Sequence, residues 1–223
     1  MKTSIIATMA ALAVVTLRVS ADAASPPAAF KLASIHLEQN AADGDGEIVV
    51  QIKSATDGLA QIQVVAPNGK AINLEGAKKR LGAGQLRFES PEPPLAEIKA
   101  AYPEGVYTFK ARAVDGSSVR GTSTLSHTVL PSPAISYPAP DATGVPTNAT
   151  MQWTAVPGAT GYFIELELPD LDRVITIDLA PGTTSFAPPA GWLVPNANVV
   201  FAVGSVAANE NRSFSEVLFS TAP

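Results

Sequence analysis

The chain has 223 residues, of which 46% are apolar and 16% charged, and this is enough apolar surface to form a folded core. It contains no cysteine, which excludes disulfide bonds, thiol chemistry and a lipid-modified N-terminal cysteine. Its formal net charge of −5 lacks the clustered positive field that phosphate binding needs, so we expect no nucleic acid partner.

The first segment of the chain predicts export. Lys2 supplies a positive start, residues 5–17 carry no charge, and Ala21-Asp22-Ala23 offers small residues where a signal peptidase cuts. The uncharged run is shorter than the roughly 20 residues that span a bilayer, so we expect a cleaved signal peptide at residues 1–23 and no membrane span. The mature chain, with 13 basic and 19 acidic residues, is expected in the periplasm or outside the cell.

Alternating apolar residues predict β-strands in residues 24–131. Such alternation lines one face of a sheet with apolar side chains, and three runs show it: Ile48, Val50 and Ile52; Ile62 and Val64; Tyr107 and Phe109. Turn-forming residues separate the runs at 43–46, 67–69 and 115–116. The pattern predicts a meander of antiparallel hairpins.

One short helix and one domain boundary interrupt this pattern. Residues 94–102 place Leu95, Ile98 and Tyr102 on one helical face, and Pro94 suits a first turn. Pro131-Ser132-Pro133 opposes regular structure. We therefore predict an N-terminal β-sandwich-like domain with one short helix at 24–131, and a second domain at 132–223.

The second domain carries an ordered series of motifs. Met151-Gln152-Trp153 is followed by a Pro-Gly turn at 157–158 and by an alternating run from Tyr162 to Leu168. This series resembles a fibronectin type III domain over about residues 133–223. The resemblance implies an immunoglobulin-like sandwich in which Trp153 on the second strand is buried and Tyr162 points inward. The family usually has a tyrosine where this chain has Val199, which cannot make the corner hydrogen bond.

The first half is similar, more faintly, to the N-terminal part of exported bacterial proteins that end in one fibronectin type III domain. The motifs that carry this similarity include Val65-Ala66-Pro67-Asn68-Gly69 and the run from Tyr102 to Phe109. The resemblance implies an all-β chain of two consecutive antiparallel sandwiches, and it implies no catalytic residue.

Few residues offer reactive chemistry. A histidine pair, His36 with His127, would need a carboxylate such as Glu38 to complete a metal site, and no ligand spacing supports one. The favoured interpretation is that both histidines are strand residues with a polar edge in solvent. Asp43-Gly-Asp-Gly-Glu47 resembles the start of a calcium loop, but a strand follows at once, which favours a hairpin turn.

The remaining candidates point to no reaction. The basic run Lys78-Lys79-Arg80 is favoured as a solvated loop, with a small anion or surface contact as the alternative. There is no Gly-x-Ser-x-Gly elbow for a serine nucleophile, and nothing selects a carboxylate pair for glycoside cleavage. We therefore predict no catalytic residue, no metal site and no cofactor.

The leading hypothesis is an exported, non-enzymatic protein that acts as an interaction or spacer module in the cell envelope. Its partner is expected to be another envelope or extracellular protein, with polysaccharide as the alternative, and contacts are expected at loops 168–173 and 207–212 or at an edge strand. The rival hypothesis gives the N-terminal domain a carbohydrate-binding or carbohydrate-active role. Its aromatic residues are few and suit core packing: Phe30, Phe88, Tyr102, Tyr107 and Phe109.

Overall fold

The computed structural model of the chain describes residues 27–75 and 82–223. The predicted signal peptide at residues 1–23 and the basic run at residues 78–80 both lie outside the described residues. Within them, strands account for most of the regular structure, so the all-β prediction is confirmed.

The first part of the fold, which we call the N-terminal module, contains eight strands and one helix within its described residues, 27–75 and 82–129. The strands are β1 (Ala28–Ala29), β2 (Leu32–Asn40), β3 (Asp45–Lys53), β4 (Leu59–Val65), β5 (Ala71–Glu75), β6 (Gln85–Glu89), β7 (Gly105–Ala113) and β8 (Ser118–Leu125), and helix α1 is Leu95–Ala101. One sheet has the strand order β1-β8-β7-β4-β5, and the other contains the run β2-β3-β6 at one of its edges.

The core of the N-terminal module lies between these two sheets. The predicted inward residues of β3, Ile48, Val50 and Ile52, are buried against Tyr107 and Phe109 of β7. Helix α1 closes one side with Ile98, as its spacing predicts. The predicted sandwich and its antiparallel hairpins are confirmed, at β2–β3, β4–β5 and β7–β8. The hairpins do not continue as a meander, because β3 pairs with β6 and β4 pairs with β7, which places the strands in two facing sheets that bury both apolar sides.

The second part, the C-terminal module, contains eight strands. They are β9 (Ile135–Tyr137), β10 (Ala142–Val145), β11 (Met151–Trp153), β12 (Gly161–Leu168), β13 (Arg173–Leu179), β14 (Ser185–Phe186), β15 (Asn198–Val206) and β16 (Arg212–Thr221). A three-stranded sheet, β14-β11-β9, faces the sheet run β13-β12-β15-β16. The buried clusters of the two modules divide between Val129 and Leu130, close to the predicted boundary.

Trp153 is at the centre of the C-terminal core. Its ring centroid lies 5.9 Å from that of Tyr162 and 6.2 Å from that of Phe201, and only 3% of the residue is exposed. The Pro-Gly turn brings Val156 close enough to donate its N–H to the hydroxyl of Tyr162 at 2.7 Å. The tryptophan, the turn and the inward tyrosine therefore act together, as the motif order predicts.

The missing corner tyrosine has a substitute. Val199 is buried without a polar contact at the side chain, and Thr221 at the end of β16 holds the preceding loop instead. The Thr221 hydroxyl donates to the carbonyl of Val194 at 2.6 Å and accepts the N–H of Ala197 at 2.8 Å. In the N-terminal module, Tyr107 makes the corner contact that Val199 cannot, because its hydroxyl donates to the carbonyl of Pro103 at 3.1 Å.

The two modules share one sheet. Strand β2 pairs in parallel with β16, with Glu38 opposite Arg212 and Asn40 opposite Phe214. The sheet order is therefore β13-β12-β15-β16-β2-β3-β6, which crosses from one module to the other. Only the last three residues of β2 and the first three of β16 are paired, so the modules are staggered end to end. The sandwiches are otherwise antiparallel, as predicted, with further short parallel pairings of β1 with β8 and of β10 with β16.

We predict that Trp153→Ala destabilises the C-terminal module by about 3–5 kcal/mol, because it removes a large buried ring and leaves a cavity. Urea unfolding followed by circular dichroism measures the loss. Leu171→Ala is the matched control: Leu171 is 45% exposed, so its truncation should change stability by less than about 0.5 kcal/mol. Equal effects of the two substitutions would contradict the central role of Trp153.

Candidate functional site

Backbone hydrogen bonds at the junction of the modules are completed by one side chain. Asn211 is 1% exposed; its carbonyl oxygen accepts the N–H of Leu37 at 2.9 Å. Its amide group donates to the carbonyls of Ser126 and Thr128 at 2.7 and 2.8 Å. One asparagine from the C-terminal module thus satisfies three main-chain groups of the N-terminal side, which fixes the junction.

A buried ionic cluster lies beside this asparagine. His36 Nε2 donates to Glu38 Oε1 at 2.8 Å, and Arg212 Nη1 donates to the same oxygen at 3.0 Å. Burial acts to raise the pKa of Glu38, but the hydrogen bond from His36 and the charges of Arg212 and Arg87 outweigh it and lower that pKa. A buried charge needs such partners to remain ionised.

Two phenyl rings support the arginine of this cluster. The guanidinium carbon of Arg212 lies 4.1 Å from the centroid of the Phe163 ring, which stabilises the cation. Phe163 meets Phe214 edge to face at 5.9 Å across Gly204. A Cβ at Gly204 would approach the Phe214 ring to 2.7 Å, so this pairing requires a glycine.

The outer side of the shared sheet forms a groove of about 390 Å³ that spans both modules. We call this surface the acidic face. Eight carboxylates line it, together with Arg87, Phe163 and Phe214; the carboxylates belong to Glu38, Asp45, Glu47, Glu89, Glu92, Glu165, Glu167 and Glu216. Arg87 pairs with Glu89 and also lies 3.9 Å from Glu38, so its charge is largely used within the groove.

The carboxyl groups of the acidic face repel one another. Burial and the charges of Glu38 and Glu89 raise the pKa of Glu47 to about 8. Burial and the contact with Glu167 raise the pKa of Glu165 to about 7. The pKa of Glu92 is also raised, by burial and by Asp45. At neutral pH Glu47 is therefore mostly protonated and Glu165 partly so, and the other six carboxylates of the face still outnumber Arg87 and Arg212.

The structure separates the candidate histidines. His36 lies in β2 and is 2% exposed, so the prediction that it faces solvent is wrong: the shared sheet covers it. His127 lies after β8 and not within a strand, and its Nε2 lies 2.8 Å from the carbonyl oxygen of Tyr102. His36 and Glu38 do form a hydrogen bond, but Arg212 binds the same carboxylate oxygen of Glu38. Across residues 27–75 and 82–223, no group of three histidine or acidic side chains is placed to hold a metal ion.

Other predicted positions have clear outcomes. Residues 41–44 form the turn between β2 and β3, which confirms a hairpin at the acidic motif. The loop at 207–212 contacts the other module through Asn209 and Asn211, so it is not a free end loop. The loop at 168–173 forms a short 3₁₀ turn at Pro169–Leu171, with Leu171 exposed.

Sequence reasoning missed the junction. Glu38 and Arg212 are 174 residues apart and meet through a parallel pairing that has no local sequence signal. The only available sign was the position of Glu38 and His36 on the polar side of a strand whose other side is apolar. That pattern is equally consistent with a solvent-facing surface.

Comparisons with known proteins find distant structural similarities only. No family model matches the chain, and no curated protein matches it. Among solved structures, a two-domain fibronectin type III segment of chicken tenascin is similar over 86% of this chain and 99% of its own, with 15% identity and a TM-score of 0.33. The FN1-FN3 domains of chicken CNTN1 are similar over 88% of this chain and 66% of their own, with 14% identity and a TM-score of 0.32.

A third similar structure is a tetra-tandem repeat in the extending region of a large adhesion protein, at 12% identity and a TM-score of 0.31, over 85% of this chain and 49% of that one. Identities and TM-scores this low say nothing about activity or partners. By its own geometry, the C-terminal module is a sandwich of two facing sheets with Trp153 and Tyr162 buried between them, as the resemblance implies. In the described part of the chain, no helix is both long and apolar enough to cross a bilayer.

We predict that Arg212→Met destabilises the junction by about 3–5 kcal/mol, because it leaves the charge of Glu38 buried with fewer partners. Asn211→Ala should cost on the order of 2 kcal/mol, because three main-chain groups lose their partner. Chemical denaturation followed by circular dichroism measures both losses. Arg173→Met, at an exposed position in β13, is the control, and a loss no larger than in this control would contradict the structural role of Arg212.

The acidic face also predicts a pH dependence of stability. Because the folded pKa values of Glu47 and Glu165 are raised, their protonated forms favour the fold, and stability is lost as the pH rises from about 4.5 to about 8. Below this range, protonation of Glu38, whose pKa is lowered, removes stability instead. The double variant Glu47→Gln/Glu165→Gln should flatten the decline between about pH 5 and about pH 8 in denaturation midpoints, whereas Glu97→Gln on α1 should not. A wild-type midpoint that rises over this range would contradict the assignment.

Proposed function

We propose that this chain is an exported, non-enzymatic two-module protein that acts as a rigid spacer and interaction element in the cell envelope, in the periplasm or outside the cell. Support comes from the predicted signal peptide at residues 1–23 and from the two sandwich modules. Sandwich modules can present end loops and sheet edges to partners.

The fixed junction is the observation that carries the spacer role. A tether that only connected two domains would need no more than a flexible linker. Here the connection consists of paired strands, the three hydrogen bonds of Asn211, and the buried contact between Glu38 and Arg212. These contacts oppose bending between the modules, so the distance between the two far ends is set by the fold.

The acidic face favours a protein partner with a cationic segment over a polysaccharide of negative charge. The carboxylates of this face attract cations and repel anions. Because salt screens charges, this preference is effective within about one Debye length of the surface. The aromatic side chains of the N-terminal module offer little for a sugar ring to stack on. Tyr107 and Phe109 are buried, and Phe30, Phe88 and Tyr102 pack against the same core.

One observation favours the rival carbohydrate-active role. Carboxyl groups with raised pKa values, such as Glu47 and Glu165, are what a general acid requires. The rival hypothesis predicts that the chain releases reducing ends from envelope polysaccharide and that Glu47→Gln abolishes this. Our proposal predicts no such release from the wild-type chain.

We predict one narrow distance between spin labels at the far ends of the two modules. The chain has no cysteine, so Ala55→Cys and Thr147→Cys can be labelled selectively; both positions are exposed loop residues away from the junction. Pulsed electron resonance should give a single sharp distribution for the wild-type background. Arg212→Met should broaden it, while Arg173→Met should leave it unchanged.

A broad distribution in the wild-type background would contradict the spacer role, because it would mean that the modules move independently. The distribution is measured at two protein concentrations, so that contacts between copies are distinguished from distances within one copy.

A further inference from the structure

The two outer surfaces of the N-terminal sandwich have opposite charge. The first of these surfaces is the outer side of β2, β3 and β6, and it forms part of the acidic face. The other is the outer side of the sheet β1-β8-β7-β4-β5, which we call the basic face. Lys110, Arg112 and Arg120 are exposed on it, among the polar side chains of Gln61, Gln63 and Asn73.

The cations of the basic face lie on the neighbouring strands β7 and β8; Arg112 donates to the carbonyl of Gly116 at 3.1 Å, and Glu75 of β5 is in the same row of the sheet, across Gln61. Lys110 is directly opposite Arg120 in the pairing of β7 with β8, and Arg112 is on the same side two residues along. Like charges at opposed strand positions destabilise a sheet. None of the three forms an ion pair with a side chain that the structure describes. A partner surface with negative charge would relieve this repulsion.

The acidic face has the opposite excess of charge. Its eight carboxylates exceed the two nearby arginines, Arg87 and Arg212, and both of those already contact Glu38. Both faces lie on the open outer side of a sheet and are opposite in charge.

We propose that the basic face of one copy of this chain binds the acidic face of a second copy. Because the two faces are on opposite sides of one sandwich, the contact joins different surfaces, and each bound copy leaves one face of each kind free. Such a heterologous contact continues head to tail unless its rotation closes a ring. This assembly goes beyond the spacer role, since rigidity within a copy and association between copies are separate properties.

A second copy suits the basic face better than nucleic acid does. Three cations on a chain with 19 mature carboxylates give a local attraction but no long-range positive field. For the same reason, copies repel one another at long range and attract at contact. At about 0.1 M salt the Debye length is about 10 Å, which screens the distant repulsion while the contact remains effective.

The test is sedimentation velocity of residues 24–223 over a concentration series at about 0.1 M and about 1 M salt. We expect the wild-type chain to associate at the lower salt and to dissociate at least about tenfold more readily at the higher one. Lys110→Glu/Arg120→Glu reverses the basic face, and Glu92→Lys/Glu167→Lys reverses part of the acidic face. Each variant alone should associate at least about tenfold more weakly than wild type.

An equimolar mixture of the two variants should associate again, because each supplies a face that the other has lost. Lys31→Glu/Arg173→Glu, with the same number of reversals at exposed positions outside both faces, should behave as wild type. Circular dichroism verifies the fold of every variant, and Lys110→Gln/Arg120→Gln replaces the basic-face variant if reversal prevents folding.

Any of four results would overturn the proposal. The wild-type chain stays monomeric at the lower salt, or the mixture of variants fails to associate, or association persists unchanged at about 1 M salt, as an edge-strand or apolar contact would. Stronger association of the acidic-face variant by itself would also overturn the proposal. That variant has less net negative charge than wild type, so the gain would show that overall repulsion between copies, and not the two faces, controls association. None of these results bears on the distance between modules within one copy.

Discussion

The parallel pairing of β2 with β16 is the constraint on which the rest of the arrangement depends. It places Arg212 opposite Glu38 and brings Asn211 within reach of the main chain of the N-terminal module. Without this pairing, the two sandwiches would each keep a core, but the buried ionic cluster would be separated into exposed charges. The pairing thus joins two sandwiches with separate buried clusters into one sheet with a defined offset.

Joining the sheets also creates the electrostatic character of the molecule. The outward side chains of β12 are half-buried instead of fully exposed, since the continuing sheet brings Glu165 and Glu167 into the same groove as Glu47. Burial in this groove, together with the neighbouring carboxylates that it holds close together, raises the pKa values of Glu47 and Glu165. The energetic cost of this crowding is offset by the hydrogen bonds and packing of the junction.

The sequence is informative where structure depends on local pattern. Period-two alternation correctly predicts the inward residues of β3 and β12, and the helix at 95–101 follows from the spacing of Leu95 and Ile98. Trp153, its turn and Tyr162 are within a few residues of one another, so their order is readable. Which strands pair is decided by whole-sheet packing, and for that reason the meander prediction is wrong.

The junction could not be predicted for the same reason. His36 and Glu38 alternate with core residues as any solvent-facing polar pair does, and the partner that buries them is near the other end of the chain. The loop at 207–212 has the composition of an exposed turn, yet Asn211 is one of the most buried polar residues. Pairing of distant strands carries no periodic signature, so only the three-dimensional arrangement reveals it.

The stagger of the two modules has a mechanical consequence. Strand β2 begins at one end of the molecule and β16 finishes at the other, while they overlap for three residues in the middle. Tension applied along the long axis would therefore pull these strands past each other and load their hydrogen bonds together in shear. A lateral force would instead peel the bonds apart one after another, so the molecule resists stretching along its length better than it resists being opened from the side.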